Sequence, residues 1–130
     1  MSVVFRMLGS SPKEEEPKVV NEVTLVGRLA ADAEQRELPS GDLLGVCRLI
    51  VDREEVKVLP TGRKSASVDV VDLAAWTPRA RRAMGRWRAG DEVAIEGALR
   101  RRFYRAGGAT NSRVEVEVSS GRMVRRARTE

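Results

Sequence analysis

Several residue types on which enzymes and metalloproteins depend are rare or missing in this sequence. The 130 residues include no histidine and one cysteine, which excludes a disulfide within the chain and argues against a zinc site. No serine or cysteine lies in a recognisable nucleophile motif, and histidine is not present to act as a general base. No apolar run reaches the length of a membrane-spanning helix. The composition therefore predicts no enzyme, no cofactor or metal, no membrane contact, and a cytoplasmic location.

Aromatic residues are also scarce, at 4% of the chain, whereas arginine is abundant. The net charge of +5 is unevenly distributed, because residues 78–130 contain fourteen arginines and six acidic residues while residues 21–77 are net acidic. Arginine forms bidentate contacts with phosphate and stacks on planar groups. A basic half is typical of nucleic-acid-binding domains, although many solvated basic surfaces bind nothing.

The pattern along the chain predicts one domain with short extensions at both ends. Residues 1–19 contain two prolines and the charge cluster KEEEPK, which indicates an N-terminal extension and linker. Residues 20–121 form the predicted domain, and residues 122–130 are expected to be a mobile basic tail. Alternation of apolar and polar residues predicts five strands, at residues 21–29, 45–53, 67–76, 91–104 and 113–118.

One helix is predicted between the third and fourth strands. Thr77 is a suitable N-cap, Pro78 suits the first helical position, and Gly90 is expected to end the helix. A buried stripe at helical spacing is formed by Ala80, Ala83, Met84 and Trp87. An all-β chain of this order, with one helix between strands 3 and 4, fits an OB-fold, a five-stranded Greek-key β-barrel. The order of the elements alone does not distinguish this fold from SH3-like barrels and other small β folds.

Three segments resemble bacterial single-stranded DNA-binding proteins. NEVTLVGRLAADAEQRELPSG resembles the family's opening, N-x-V-x-L-V-G-x-L-x-x-D-P-E-x-R-x-x-x-S-G, with Ala33 in place of the proline. VDVVDLAAWTPRARR resembles the family's third strand and helix, and RWRAGDEVAIEGALRRRFY its fourth strand. The resemblance covers about residues 20–125. It implies an OB-fold that binds single-stranded DNA without sequence preference, in replication, repair or recombination, and usually as a homotetramer.

The chain also departs from this family. Its members commonly place three or four aromatic residues on the binding face, and only Trp76 and Tyr104 match such positions. Val70 and Glu55 occupy positions where other aromatics are frequent, and Asp72 occupies one that is often basic. The family's acidic C-terminal tail, which recruits repair proteins, has no counterpart here. The resemblance therefore implies a short paralogue without tail-mediated partners.

The strand period selects the candidate binding residues. In the fourth strand Arg100, Arg102 and Tyr104 share one face, whereas Phe103 lies on the other and is expected to pack against the barrel or a loop. Trp76 ends the third strand on the side opposite its apolar face, so we expect it to point outward and stack on bases. The predicted nucleic-acid-binding residues are Trp76, Tyr104, Arg100, Arg102, Arg105, Arg28 and Arg79.

These observations predict a nucleoid-associated, homo-oligomeric protein that binds single-stranded DNA by base stacking and phosphate contacts. Two alternatives remain open from the sequence. An RNA-binding or primosome-type OB protein would use the same stacking, which does not by itself distinguish ribose from deoxyribose. A structural or assembly subunit would instead cover the Trp76 and Tyr104 face with another subunit, and its nucleic-acid binding would be weak.

Overall fold

The fold consists of strands with one short helix, as seen in a computed structural model that describes residues 18–128. Most of the predicted N-terminal extension therefore lies outside the described residues. The elements are β1 (Val23–Leu29), β2 (Glu34–Glu37), β3 (Leu43–Asp52), β4 (Val68–Ala75), α1 (Pro78–Met84), β5 (Glu92–Ala106) and β6 (Ala109–Arg125).

The strands form one sheet in the order β1-β5-β6-β4-β3-β2, and a further pairing of β1 with β3 closes it into a ring. β4 and β6 are parallel, and the other pairs are antiparallel. Gly27 makes the closure possible, because a Cβ there would collide with the carbonyl oxygen of Ile50. Asn21 extends the pairing of β1 with β5: its side-chain amide donates to the Leu99 carbonyl at 2.9 Å and accepts from the Leu99 N–H at 2.8 Å.

The interior of the ring is filled by the apolar sides of β1, β3, β4, β5 and β6, as the alternation predicts. Its centre consists of Leu29, Leu49, Leu73, Val93, Ile95, Val116 and Val118. The helix covers one end of this core with Ala80 and Met84, and Trp87 follows with only 2% of its surface exposed. Trp87 is therefore a structural residue, as expected, and the absence of a side chain at Gly121 leaves room for its ring.

The helix begins as predicted and ends earlier. The Thr77 hydroxyl accepts a hydrogen bond from the Ala80 N–H at 3.1 Å, and Pro78 occupies the first turn. The helix ends at Met84 with Gly85 as its cap, not at Gly90. Glycine is a poor helix residue, and the chain continues in tight turns in which the Trp87 N–H donates to the Met84 carbonyl.

All five predicted strands are present, but the structure adds a strand and lengthens a hairpin. Residues 34–37, which lie between the first two predicted strands, form β2 against β3. Residues 105–112, expected to be a loop, belong mostly to β5 and β6, which meet at Gly107 and Gly108. Both glycines have positive φ angles, 61° and 81°, as a two-residue type I′ turn requires.

The expected mobile tail at residues 122–130 is held to the barrel up to residue 127. β6 extends to Arg125, and the next two residues are bound by Asp91, which is fully buried. Its carboxylate accepts hydrogen bonds from the Ala127 N–H at 2.8 Å, Arg126 Nη1 at 2.9 Å and the Arg88 N–H at 2.9 Å. A buried carboxylate requires such partners, and in satisfying that need it fixes the C-terminal segment.

Candidate nucleic-acid interface

Four of the predicted binding residues lie together on the outer face of the sheet: Trp76, Tyr104, Arg100 and Arg102. Trp76 follows β4 directly, and the guanidinium carbon of Arg102 in β5 lies 4.9 Å from the centroid of its ring. Tyr104 lies two residues further along β5 on the same face and is 43% exposed. Arg113 of β6 is directly opposite Arg102, and its guanidinium carbon lies 6.0 Å from the Tyr104 ring centroid. The two aromatic rings are thus each accompanied by one guanidinium.

The arginines of this face are also paired with carboxylates. Glu115 of β6 has only 2% of its side chain exposed; it accepts a hydrogen bond from Arg102 at 3.4 Å and forms an ion pair with Arg113 at 3.6 Å. Glu117 pairs with Arg100 at 2.9 Å. A buried carboxylate is stable only when it is paired, so Glu115 holds the two guanidiniums that lie over the rings. A phosphate that binds here has to compete with these carboxylates.

The other three predicted residues lie elsewhere. Arg105 lies on the same face of β5 as Phe103, next to the hairpin turn, and its Nη2 is 3.5 Å from the Gly108 carbonyl oxygen. Arg79 is exposed on the first turn of the helix. Arg28 lies on β1 in a separate groove, paired with Asp52 at 3.1 Å.

Phe103 and Tyr104 lie on opposite faces of the hairpin, as the alternation predicts. The expectation that Phe103 packs against the barrel or a loop is wrong. Its ring is 68% exposed. β6 pairs with β4 only around Val116 and Glu117, so the outer half of the hairpin extends past the barrel with no third strand beneath it among the described residues.

Comparison with known proteins decides the family. Residues 20–124 match the model of the Single-strand binding protein family. The chain belongs to this family. It is therefore a single-stranded DNA-binding protein and not an enzyme, as the sequence predicted. A search of curated proteins found no significant match.

A solved structure supports the fold of this single-strand binding protein. It is described as Plasmodium falciparum SSB in complex with ssDNA and shares 17% sequence identity with this chain. The alignment covers 85% of this chain and 99% of that one, with a TM-score of 0.67. At that identity the likeness establishes the architecture, and it confirms the predicted OB-fold.

The acidic part of this single-strand binding protein's outer face was not predicted from the sequence. A signal for it was present in the paired glycines, since a two-residue turn at residues 107 and 108 places residue 100 opposite residue 115. That register puts Arg100 and Arg102 beside Glu115 and Glu117. Asp72, which departs from the family pattern, is likewise paired, with Arg48 at 3.0 Å.

The described part of this single-strand binding protein indicates neither a reactive cysteine nor a metal site. Burial raises the pKa of the Cys47 thiol to about 12, so the sulfur stays protonated and behaves as a small apolar group. Between residues 18 and 128 no cluster of acidic residues, cysteine and histidine is arranged to hold a metal ion. Over the same range no helix has the length and apolar character needed to cross a membrane.

Proposed function

We propose that the outer face around Trp76 and Tyr104 is the DNA-binding surface, and that it binds single strands without sequence preference. The supporting observation is that two aromatic rings lie on one face, with Arg102 and Arg113 directly over them. Unpaired bases have free π-faces and stack on aromatic rings, while the bases of a duplex are already stacked on each other. The face therefore favours single strands.

The contacts available on this surface explain the lack of sequence preference. Every base has a π-face, so stacking on Trp76 or Tyr104 is tolerant of base identity. Guanidinium groups contact phosphates, which are the same at every nucleotide. Phosphate contacts add to the stacking, although Arg100, Arg102 and Arg113 must each exchange a glutamate for the phosphate, and binding should weaken as the salt concentration rises.

This assignment is tested by fluorescence anisotropy with labelled oligo-dT, oligo-rU and duplex of equal length at several salt concentrations. Oligo-dT is expected to bind, with log K falling by about 0.7 per phosphate neutralised as log salt rises. Duplex should bind at least tenfold more weakly. Equal binding of duplex, or no binding of oligo-dT at low salt, would contradict the assignment; tighter binding of oligo-rU would favour an RNA-binding protein.

We further propose that the protein is a homo-oligomer in the cytoplasm, associated with the nucleoid, and serves replication, repair or recombination. The reverse face of the hairpin supports an oligomer, because Leu99, Phe103 and Val114 are all exposed on it, and exposed apolar side chains on one face favour a protein contact. Light scattering should give a mass well above the 14.4 kDa of one chain, and a mass of one chain would contradict the proposal.

A further inference from the structure

We infer that a second groove, formed by β1, the end of β3 and the C-terminal segment, binds phosphodiester groups of the same single strand. The groove has a volume of about 450 Å³ and lies apart from Trp76 and Tyr104. The inference rests on the proposed DNA-binding function and extends it. It assigns a role to Arg28 and to the C-terminal arginines, which the aromatic face does not include.

Four arginines line this groove, and three carboxylates are close to them: Asp52 and Glu92 in the lining, and the buried Asp91, which binds Arg126. The arginines are Arg28, Arg125, Arg126 and Arg128. Arg125 is only loosely paired with Glu92, at 3.6 Å, and its side chain is 78% exposed. Arg128 is exposed and forms no ion pair with any residue from 18 to 128. The groove therefore has excess positive charge and at least two guanidiniums that can turn toward a phosphate.

The wall that contains these arginines is fixed in place. Asp91 binds the Arg126 side chain and the Ala127 N–H, and these contacts lie between Arg125 and Arg128 in the sequence. A guanidinium on a fixed backbone loses less conformational freedom on binding than one on a loose tail. The buried Asp91 carboxylate thus makes the C-terminal segment part of a defined surface.

Paired strands connect the groove to the aromatic face along the outside of the ring. In the strand register, Arg28 of β1 is opposite Ile50 of β3. Arg48 lies two residues before Ile50 in β3 and is opposite Asp72 of β4. Two residues further along β4, Ala74 pairs with Glu117, the partner of Arg100. At about 4.8 Å between strands and about 3.3 Å per residue, this path is roughly 30 Å long. A single strand that lies on the aromatic face can therefore reach the groove.

The test compares the full-length protein with the double variant Arg125→Ala/Arg128→Ala. Binding is measured by anisotropy with oligo-dT of about 5 and about 16 nucleotides, the range of site sizes for one OB-fold. The matched control is Arg82→Ala/Arg86→Ala, which removes the same charge from exposed positions on and just after the helix. Thermal unfolding confirms that both variants fold.

For the longer oligonucleotide we expect the groove variant to reduce the salt slope by about 1.4, or about 0.7 for each of two phosphates. Its affinity for the shorter oligonucleotide should change by less than twofold, and the control should leave the slope unchanged. An unchanged slope with the longer oligonucleotide, an equal loss with the control, or the same loss for duplex would overturn the inference. Failure of the unsubstituted protein to bind the short oligonucleotide would instead count against the aromatic face.

Discussion

Replacing Trp76 and Tyr104 together with alanine is expected to weaken the binding of oligo-dT by about 10³-fold. Each base stacked on an aromatic ring contributes about 1–3 kcal/mol, so two lost stacks cost about 4 kcal/mol. The loss should be measured by anisotropy at one fixed salt concentration, with each single variant in parallel. Because the guanidiniums over the two rings share Glu115, comparing the single variants with the double variant measures how far the two stacking sites are coupled.

The matched control for this prediction is Phe103→Ala. Phe103 neighbours Tyr104 in sequence but lies on the opposite face of the hairpin, with 68% of its surface exposed. Because Phe103 also lies in the proposed subunit contact, the comparison is made where light scattering gives this variant the same mass as the unsubstituted protein, and its affinity should then change by less than twofold. A loss with Phe103→Ala as large as that with Tyr104→Ala would show that the hairpin binds DNA through its other face, and the proposed surface would be wrong.

Replacing Asp91 with alanine is expected to lower the free energy of unfolding by about 3 kcal/mol, because two N–H groups lose a buried acceptor. The Arg126 side chain adds less to this loss, since it is 60% exposed and can be solvated by water. The midpoint of thermal unfolding should fall by about 10 °C in a domain of this size. Calorimetry of the full chain measures both quantities.

The same residue makes part of the stability depend on pH. Burial alone would raise the pKa of Asp91, but hydrogen bonds from the Ala127 and Arg88 N–H groups and the charges of Arg126 and Arg88 lower it overall. A carboxyl group with a lowered pKa in the folded state stabilises the fold above its unfolded pKa, about 3.9, and loses this effect as the pH falls through the folded value. The stability difference between the natural chain and Asp91→Ala should therefore shrink below about pH 4.

An exposed aspartate provides the control for both Asp91 experiments. Asp52 pairs with Arg28 at the surface, where an ion pair contributes less than about 1 kcal/mol. Asp52→Ala should therefore shift the unfolding midpoint by only a few degrees. If Asp91→Ala were no more destabilising than Asp52→Ala, the C-terminal segment would not be held by the buried carboxylate, and the fixed wall of the second groove would lose its basis.

Much of the fold is predictable from the sequence because one side of each strand must be buried. The alternation in NEVTLVGRL places Leu25 and Leu29 inside and Arg28 outside, as the structure shows. The helix start follows from Thr77 and Pro78, and the burial of Trp87 from its helical spacing. The same reasoning separates Tyr104 from Phe103, because a strand period of two places neighbouring residues on opposite faces of the hairpin.

What the sequence does not reveal depends on contacts between distant segments. In the sequence Asp91 cannot be told from any acidic residue at a turn. Its role depends on the hydrogen bond that it accepts from the Ala127 N–H, 36 residues later. The pairing of Glu115 with Arg102 and Arg113 requires the register of the hairpin. Two residues of the opening motif also prove to be structural, since Asn21 binds the Leu99 backbone and Asp32 accepts from the Ala89 N–H at 2.8 Å.

These pairings alter the interpretation of the basic half of the chain. The excess of arginine suggested a basic surface for nucleic acid, but on the aromatic face Arg100, Arg102 and Arg113 are each paired with a glutamate. The carboxylates lower the positive potential of the face and hold the guanidiniums in defined positions over the rings. The aromatic face is therefore characterised by the fixed positions of its guanidiniums more than by its net charge. The groove at the C-terminal segment, in contrast, has an excess of positive charge.

The most direct test of the central claim, that bases stack on Trp76, is a titration of intrinsic tryptophan fluorescence with oligo-dT. Of the two tryptophans, Trp87 is buried in the core, so a bound base can reach only Trp76. We expect quenching that saturates with oligo-dT, is absent with duplex, and largely disappears in Trp76→Phe while that variant still binds by anisotropy. Quenching that persists unchanged in Trp76→Phe, or binding of oligo-dT without any quenching, would contradict the claim.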